Sequence, residues 1–184
     1  KKKNNLWIGF CQKRRFWLQS KNSRNNLLSK VPSNWNNYNA VIRKKINLRK
    51  PKLSKIFKRG WKNIIQKPSI LYSDRNYNIE LHFDLFHGFR NLQKAAELVK
   101  KEDRDEFIEY IKKNRSFNPH IMCVAKPKIL KLWFEDLFPW LKRCEVIFGF
   151  KDLKGYDTTR LYAYLAERYH SFWFQKYSNY VEWP

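Results

Sequence analysis

Residues 155–173 read GYDTTRLYAYLAERYHSFW, and the rest of the chain is organised around them. From Leu161 the spacing of Leu161, Tyr164, Leu165, Phe172 and Trp173 is helical, with no glycine or proline to interrupt it. Gly155 lets the chain turn, and Asp157 stands where an N-cap belongs, its carboxylate within reach of the N–H groups of Thr159 and Arg160. Apolar residues nearly encircle this segment, which predicts a buried helix. Arg160, Tyr164, Glu167 and Ser171 share one stripe, at spacings of three and four. Charges on a buried helix must be paired or must meet a ligand. Two readings stand: an Arg–Glu pair that fixes packing, or a Glu167 or Arg160 that faces a substrate cleft.

Working outward, 184 residues leave room for one domain with a real core. Hydrophobic content of 43% with 17% aromatic excludes a disordered chain. No apolar run approaches the length of a spanning helix. Cys11, Cys123 and Cys144 show no paired spacing and read as thiols of a reducing compartment. The histidines at 82, 87, 120 and 170 carry no local zinc signature. The opening KKKNN runs straight into an apolar strand, and the expectation is an N-terminally truncated domain.

The net charge of +23 is unevenly placed. Residues 1–79 hold 21 Lys/Arg and one acid, Asp74, whereas residues 80–184 hold 18 Lys/Arg and 15 acids. An A/T-rich coding sequence explains many lysines but not missing acids, so the basic half is expected to meet an anion: phosphate, nucleic acid or lipid head groups.

Leu6 to Cys11 reads as a buried strand, ending at Gln12-Lys13-Arg14-Arg15. In open α/β sheets ligands gather outside the carboxyl ends of strands, where two arginines can grip a phosphate bidentately or simply face water. Residues 19–40 read as a loop and 39–42 as a short strand. Residues 41–67 are basic. Within them Leu53, Ile56, Phe57, Ile64 and Ile65 share a helical face with Trp61 at its edge, and Lys52, Lys55, Lys58 and Arg59 lie among the cations opposite. Such a helix either lies on an anionic membrane or docks on its own domain. A helix is expected from Phe89 or Asn91, packing Leu92, Ala95, Ala96 and Val99. His87-Gly88 before it is a candidate anion holder or a plain loop. EDRDEFIEYIKKN predicts an amphipathic helix with Phe107, Ile108 and Ile111 inward. Its Asp103-Arg104-Asp105 cannot chelate one ion, since i and i+2 diverge on a helix, and reads as dipole complementarity. After the turn Asn118-Pro119-His120 come a strand over 121–124 and a helix from Pro127, with Pro139 expected to kink it. The chain ends extended over 180–184.

Several segments together resemble one family. LWIGFCQKRRFW resembles "YIGLCHYRRYF", with Gln12 where the family usually has His. ELHFDLFHGFRNL resembles "QYxxxHxxxDL", with His87 on its histidine and Asn91 where Asp is commoner. NPHIMCVAKPKILKLWFEDLFPWL resembles "YNMFIMxKxxFxxYCxWLF", and RLYAYLAERYHSFWF resembles "RxxGFLSERLLxxWL". The family is named only as a domain of unknown function. It occurs in bacterial capsular and exopolysaccharide loci and is taken to be glycosyltransferase-like, of GT-A type. The resemblance covers most of residues 5–183, and the family's opening "NPYYCELTALYW" region has no counterpart here.

It implies an α/β fold: a partial GT-A-like, Rossmann-type sheet with flanking helices and a mainly helical C-terminal half. It implies transfer of a sugar from a nucleotide-sugar donor to a glycan or lipid-linked acceptor, in the cytoplasm or at the inner face of the plasma membrane. Such an enzyme needs a positive group for the leaving diphosphate. With no credible Asp-x-Asp metal motif, Arg14 and Arg15 are the candidates, with Gln12 beside them, and the use of a divalent metal stays open. Glu167 is the first candidate to take the acceptor proton, His120 and His87 the second. Asp157, Arg160 and Arg168 are candidates for acceptor contact or for support. The competing expectations are a basic nucleic-acid-binding module, disfavoured because most aromatics sit at core spacing and no RNP, KH or helix-turn-helix signature appears, and a non-catalytic membrane-surface protein.

Overall fold

Alternation along a short strand at residues 40–43 sets the layers of this molecule. In the computed structural model, which describes residues 6–20, 26–72, 77–151 and 153–184, Ala40 and Ile42 face one side of a sheet and Val41 the other. The side chains of Tyr156 and Asp157 also fall outside the described residues, as do the start at residues 1–5 and part of the expected loop, residues 21–25.

The sheet has the order β1-β5-β2-β6, formed by Ile8–Phe10, Cys123–Ala125, Ala40–Arg43 and Tyr180–Trp183. β5 runs antiparallel to both β1 and β2, and β6 runs parallel to β2. The carboxyl ends of β1, β2 and β6 and the amino end of β5 therefore meet along one edge. A two-stranded ladder joins β3, Ile46–Asn47, to β4, Ser116–Phe117. The fold is mixed α/β, consistent with a partial Rossmann-type arrangement, and its C-terminal half is mainly helical.

The helices are α1 Leu53–Gln66, α2 Ile79–His87, α3 Asn91–Glu97, α4 Lys101–Lys113, α5 Pro127–Phe148, α6 Tyr156–Thr159 and α7 Leu161–Tyr177. α7 is the buried core helix that its sequence predicts, with Leu161, Leu165, Tyr169, Phe172, Trp173 and Phe174 inside. Trp133 and Trp140 of α5 and Phe107 of α4 close on Tyr169 with ring centroids 4.7–5.7 Å apart. On the other face of the sheet Trp17, Trp35, Val41, Met122 and Val124 form a smaller cluster. Trp35 meets Trp183 edge-on at 5.2 Å there.

Several expectations are corrected. β1 is an exposed edge strand: Ile8, Gly9 and Phe10 all meet solvent, because β5 covers only one side of it. Gly155, not Asp157, occupies the N-cap of α6, and Asp157 lies inside that short helix. Residues 79–87 form α2, an element the sequence reading lacked, so His87 ends one helix while still lying just ahead of α3, which starts at Asn91 as expected. Asp103 is fully buried: it takes Lys100 and Lys176 as ion-pair partners and the hydroxyls of Tyr169 and Tyr177 as donors, which goes beyond dipole complementarity. The strand expected over 121–124 pairs as 123–125. α5 runs through Pro139 to Phe148, where Gly149 caps it with φ 57°.

The apolar face of α1 divides. Ile56 and Gly60 are buried and Ile64 half-buried, while Leu53, Phe57, Trp61 and Ile65 stay exposed. Gly60 is required by close approach: a Cβ would fall well inside van der Waals distance of Leu85 Cδ2. Among the described residues no helix is long and apolar enough to cross a membrane.

Candidate active site

The turn after β1 decides which of two exposed cations lines a cavity. The Arg15 N–H donates to the Gln12 carbonyl at 3.0 Å, so residues 12–15 form a β-turn with Lys13 and Arg14 at its exposed corner. Gln12 and Arg15 stand side by side, and Arg15 Nη1 donates to Gln12 Oε1 at 2.9 Å. Arg15 Nη1 also lies 3.3 Å from His120 Nδ1.

His120 reaches this point from the loop before β5, with a left-handed φ of 66°, an unfavourable conformation for a residue with a Cβ. α7 holds it there. Glu167 Oε1 accepts the His120 backbone N–H, and one turn on Ser171 Oγ accepts the Asn118 N–H at 2.6 Å. Asn118 Nδ2 donates in turn to the Arg43 carbonyl at the end of β2, at 2.6 Å. The stripe 160/164/167/171 thus looks toward the carboxyl-end edge of the sheet.

The result is a cavity of about 240 Å³ lined by Gln12, Arg15, His120, Ile121, Arg160, Ala163, Tyr164 and Glu167. A second, of about 230 Å³, shares Arg15 and adds Phe16, Trp17, Arg43 and Met122. Of the sequence candidates, Gln12, Arg15, His120, Arg160 and Glu167 come together. Arg14 lines neither cavity, and His87 sits one layer back, stacked on Tyr164 with centroids 3.8 Å apart. Arg43 is the residue that sequence reading missed. The signal was present, since it follows the apolar run 40–42 just as Arg14 and Arg15 follow the first strand.

Glu167 has both oxygens engaged. Oε2 takes Nη1 of Arg168, a guanidinium that is fully buried, 3.6 Å above the Phe117 ring and 3.4 Å from His82 Nδ1. The pair that fixes packing is therefore Glu167–Arg168, and Arg160 stays at the cavity rim with its guanidinium over the Tyr164 ring. Because Glu167 is committed to Arg168, positive charge prevails among Arg15, Arg43 and Arg160. Burial lowers the Arg43 pKa, and repulsion from Arg15 lowers it further against the opposing pull of Glu167. Burial pushes His120 down to about 4; Glu167, 3.6 Å from its Nδ1, opposes this, while Arg15 and Arg43 reinforce it. The imidazole is neutral at pH 7. With Arg15 donating to Nδ1, the ring proton lies on Nε2.

Among the described residues no three His, Cys, Asp or Glu side chains are grouped to hold a metal ion. What the arrangement offers chemically is a fixed anion clamp of guanidinium groups beside a neutral imidazole.

The chain belongs to the family described as Domain of unknown function (DUF4422), whose model matches residues 1–179. Comparison with curated proteins and with solved structures gives no match.

Proposed function

We propose that this protein is a glycosyltransferase-like enzyme that moves a sugar from a nucleotide-sugar donor to a glycan or lipid-linked acceptor in surface polysaccharide biosynthesis. The observation that supports this most is the convergence of Arg15, Arg43 and Arg160 beside His120 at the carboxyl ends of β1 and β2. A leaving diphosphate needs fixed positive charge where its own charge grows, and preorganised guanidinium groups supply it without reorganisation. The adjoining cavity, walled by Phe16, Trp17 and Met122, suits the flat face of a base or sugar ring.

In this reading Arg15, Arg43 and Arg160 bind the diphosphate, with Gln12 orienting Arg15. Glu167, spent on the His120 backbone and on Arg168, is a positioning residue and not the base. His120 takes the acceptor proton. The acceptor oxygen bonds to the anomeric carbon, the bond from that carbon to the diphosphate oxygen breaks with its electron pair leaving on the diphosphate, and the hydroxyl proton passes to imidazole Nδ1 once Arg15 has turned to the phosphate. Bound diphosphate charge raises the His120 pKa from its low resting value and so makes it a better base. The free thiols of Cys11, Cys123 and Cys144 suit a reducing, cytoplasmic setting.

The test is thermal stabilisation of the intact chain by UDP, GDP and their sugars, set against retention on heparin and single-stranded RNA as salt rises. Stabilisation by one nucleotide diphosphate, lost in Arg15→Ala, supports the reading. Salt-sensitive RNA binding with no nucleotide effect favours the nucleic-acid module instead.

A further inference from the structure

The outer face of α1 is built unlike a solvated helix surface. Leu53, Phe57, Trp61 and Ile65 recur every fourth residue and are 51%, 56%, 55% and 71% exposed. Four residues advance a helix by roughly 400°, so this row drifts only about 40° per step within each half of α1, and the two halves, Leu53 with Phe57 and Trp61 with Ile65, meet at a kink at Gly60, where φ is −113° and ψ 18°. The row adjoins the buried row of Ile56, Gly60 and Ile64 but is not covered by it, nor by α2 or any other described element. Lys58, Lys62 and Arg59 follow round the same wheel and are exposed, so the outer surface is part apolar and part cationic, while Lys55 turns back over the Phe86 ring at 3.8 Å. No Asp or Glu occurs on α1 or anywhere in residues 1–73. The ammonium of Lys62 lies 5.6 Å from the Trp61 ring centroid, so cation and aromatic share one side of the helix.

We infer that α1 is an interfacial helix that seats this domain on an anionic lipid bilayer, with Leu53, Phe57, Trp61 and Ile65 in the acyl boundary and Lys58 and Lys62 among the head groups. Charge complementarity chooses the occupant. A cationic row with no acid on its own helix repels most basic surfaces and attracts anionic lipid, and the apolar row beside it is what distinguishes a bilayer from a polyphosphate. Nucleic acid would employ the aromatic rings and the lysines but leave Leu53 and Ile65 in water. The division of the helix also explains how it stays folded off the membrane: Ile56 and Gly60 are anchored in the domain, and Asn63 donates to buried Asp84 at 2.6 Å. Docking therefore needs no coil-to-helix transition. This inference does not depend on the transferase reading, since none of these side chains lines the cavities at Arg15.

The experiment is flotation of the full chain with vesicles of phosphatidylcholine alone and of phosphatidylcholine with phosphatidylglycerol. The wild type is expected to float with the anionic vesicles only. Phe57→Ser with Trp61→Ser is expected to weaken partitioning at least about tenfold, since each change removes a large apolar side chain from the interface. Lys58→Glu with Lys62→Glu is expected to abolish it. Both double variants alter exposed side chains, so their melting temperature and nucleotide binding should match the wild type. Undiminished flotation of the serine variant overturns the inference, because charge alone would then suffice. So does equal flotation with neutral vesicles, or retention on single-stranded RNA without any vesicle binding.

Discussion

Arg15 and His120 stand 105 positions apart in the chain, yet Nη1 of the first lies 3.3 Å from Nδ1 of the second. That contact exists because a tight turn after β1 aims Arg15 across the sheet edge and because Glu167 fixes the backbone of His120 from the far side. A cation and a neutral imidazole are thereby set at one anion-sized hollow.

Anion binding there should distinguish neighbouring arginines. Arg15→Ala and Arg43→Ala should each weaken nucleoside diphosphate binding by roughly ten- to a hundredfold, the equivalent of one charge-assisted hydrogen bond of about 1.5–3 kcal/mol. Arg14→Ala, at the exposed corner of the turn, should change it less than about twofold. Calorimetric titration with UDP and GDP measures all three, and equal losses at Arg14 and Arg15 would remove the turn from the explanation.

Replacing Glu167 by Gln should cost stability before it costs chemistry. It leaves the buried Arg168 guanidinium without its counter-charge, a loss of about 3–5 kcal/mol for a broken buried pair. Adding Arg168→Met should restore part of that loss. Urea titration of the single and double variants reads this directly, and an unchanged midpoint for Glu167→Gln would show the pair to be solvated.

Acid should destabilise the fold through its histidines. Burial lowers His82 to about 3, His120 to about 4 and His170 to about 3, all from 6.5. The unfolded chain binds protons that the folded chain refuses, so their stability is intact above pH 6.5 and drains away as pH falls toward 4 and below. Asp84, raised by burial to about 6, works in the other direction, favouring the fold below 3.8 and losing that contribution as pH rises through 6. His170 is fully buried, and among the described residues neither ring nitrogen has a hydrogen-bond partner. His170→Phe should therefore recover on the order of 3 kcal/mol at pH 4 relative to wild type, and melting curves from pH 7 down to 4 check it.

Gly60→Ala tests the seat of α1. The new methyl meets Leu85 Cδ2, and overpacking of this kind costs about 1–3 kcal/mol; because Gly60 sits at a kink with φ −113° and ψ 18°, no helix-interior propensity gain offsets it. Combined with Leu85→Ala it should be less costly than the two single changes together imply. Additive melting shifts would place the clash elsewhere.

Much of this architecture was legible in local spacing. The stripe Arg160, Tyr164, Glu167 and Ser171 faces the sheet edge as its period implies, and the core of α4 follows its own, with Phe107 and Ile111 buried and Ile108 half-buried. What local spacing could not hold was anything set by a distant neighbour. An apolar run does not say whether a strand is central or at an edge, so β1 read as buried. The two apolar rows of α1 fall within one arc of the wheel, and only the position of Leu85 and α2 decides which is covered. Arg14 and Arg15 are equivalent until the hydrogen bond from Arg15 to Gln12 turns one outward. Arg168 was read as a candidate for acceptor contact or for support, and its sequence neighbours could not decide between the two, because its partners His82 and Phe117 come from other parts of the chain.

The parallel pairing of β2 with β6 has a consequence for biosynthesis. Arg43 ends β2, and its partner in the ladder is Trp183, while the clasp on His120 comes from α7 just before. A ribosome must release both before any of the hollow exists, however early Arg15 and Arg43 emerge. Ligand affinity should therefore arise in a single event, once β6 has left the ribosome, and nascent chains stalled before Tyr180 should show none.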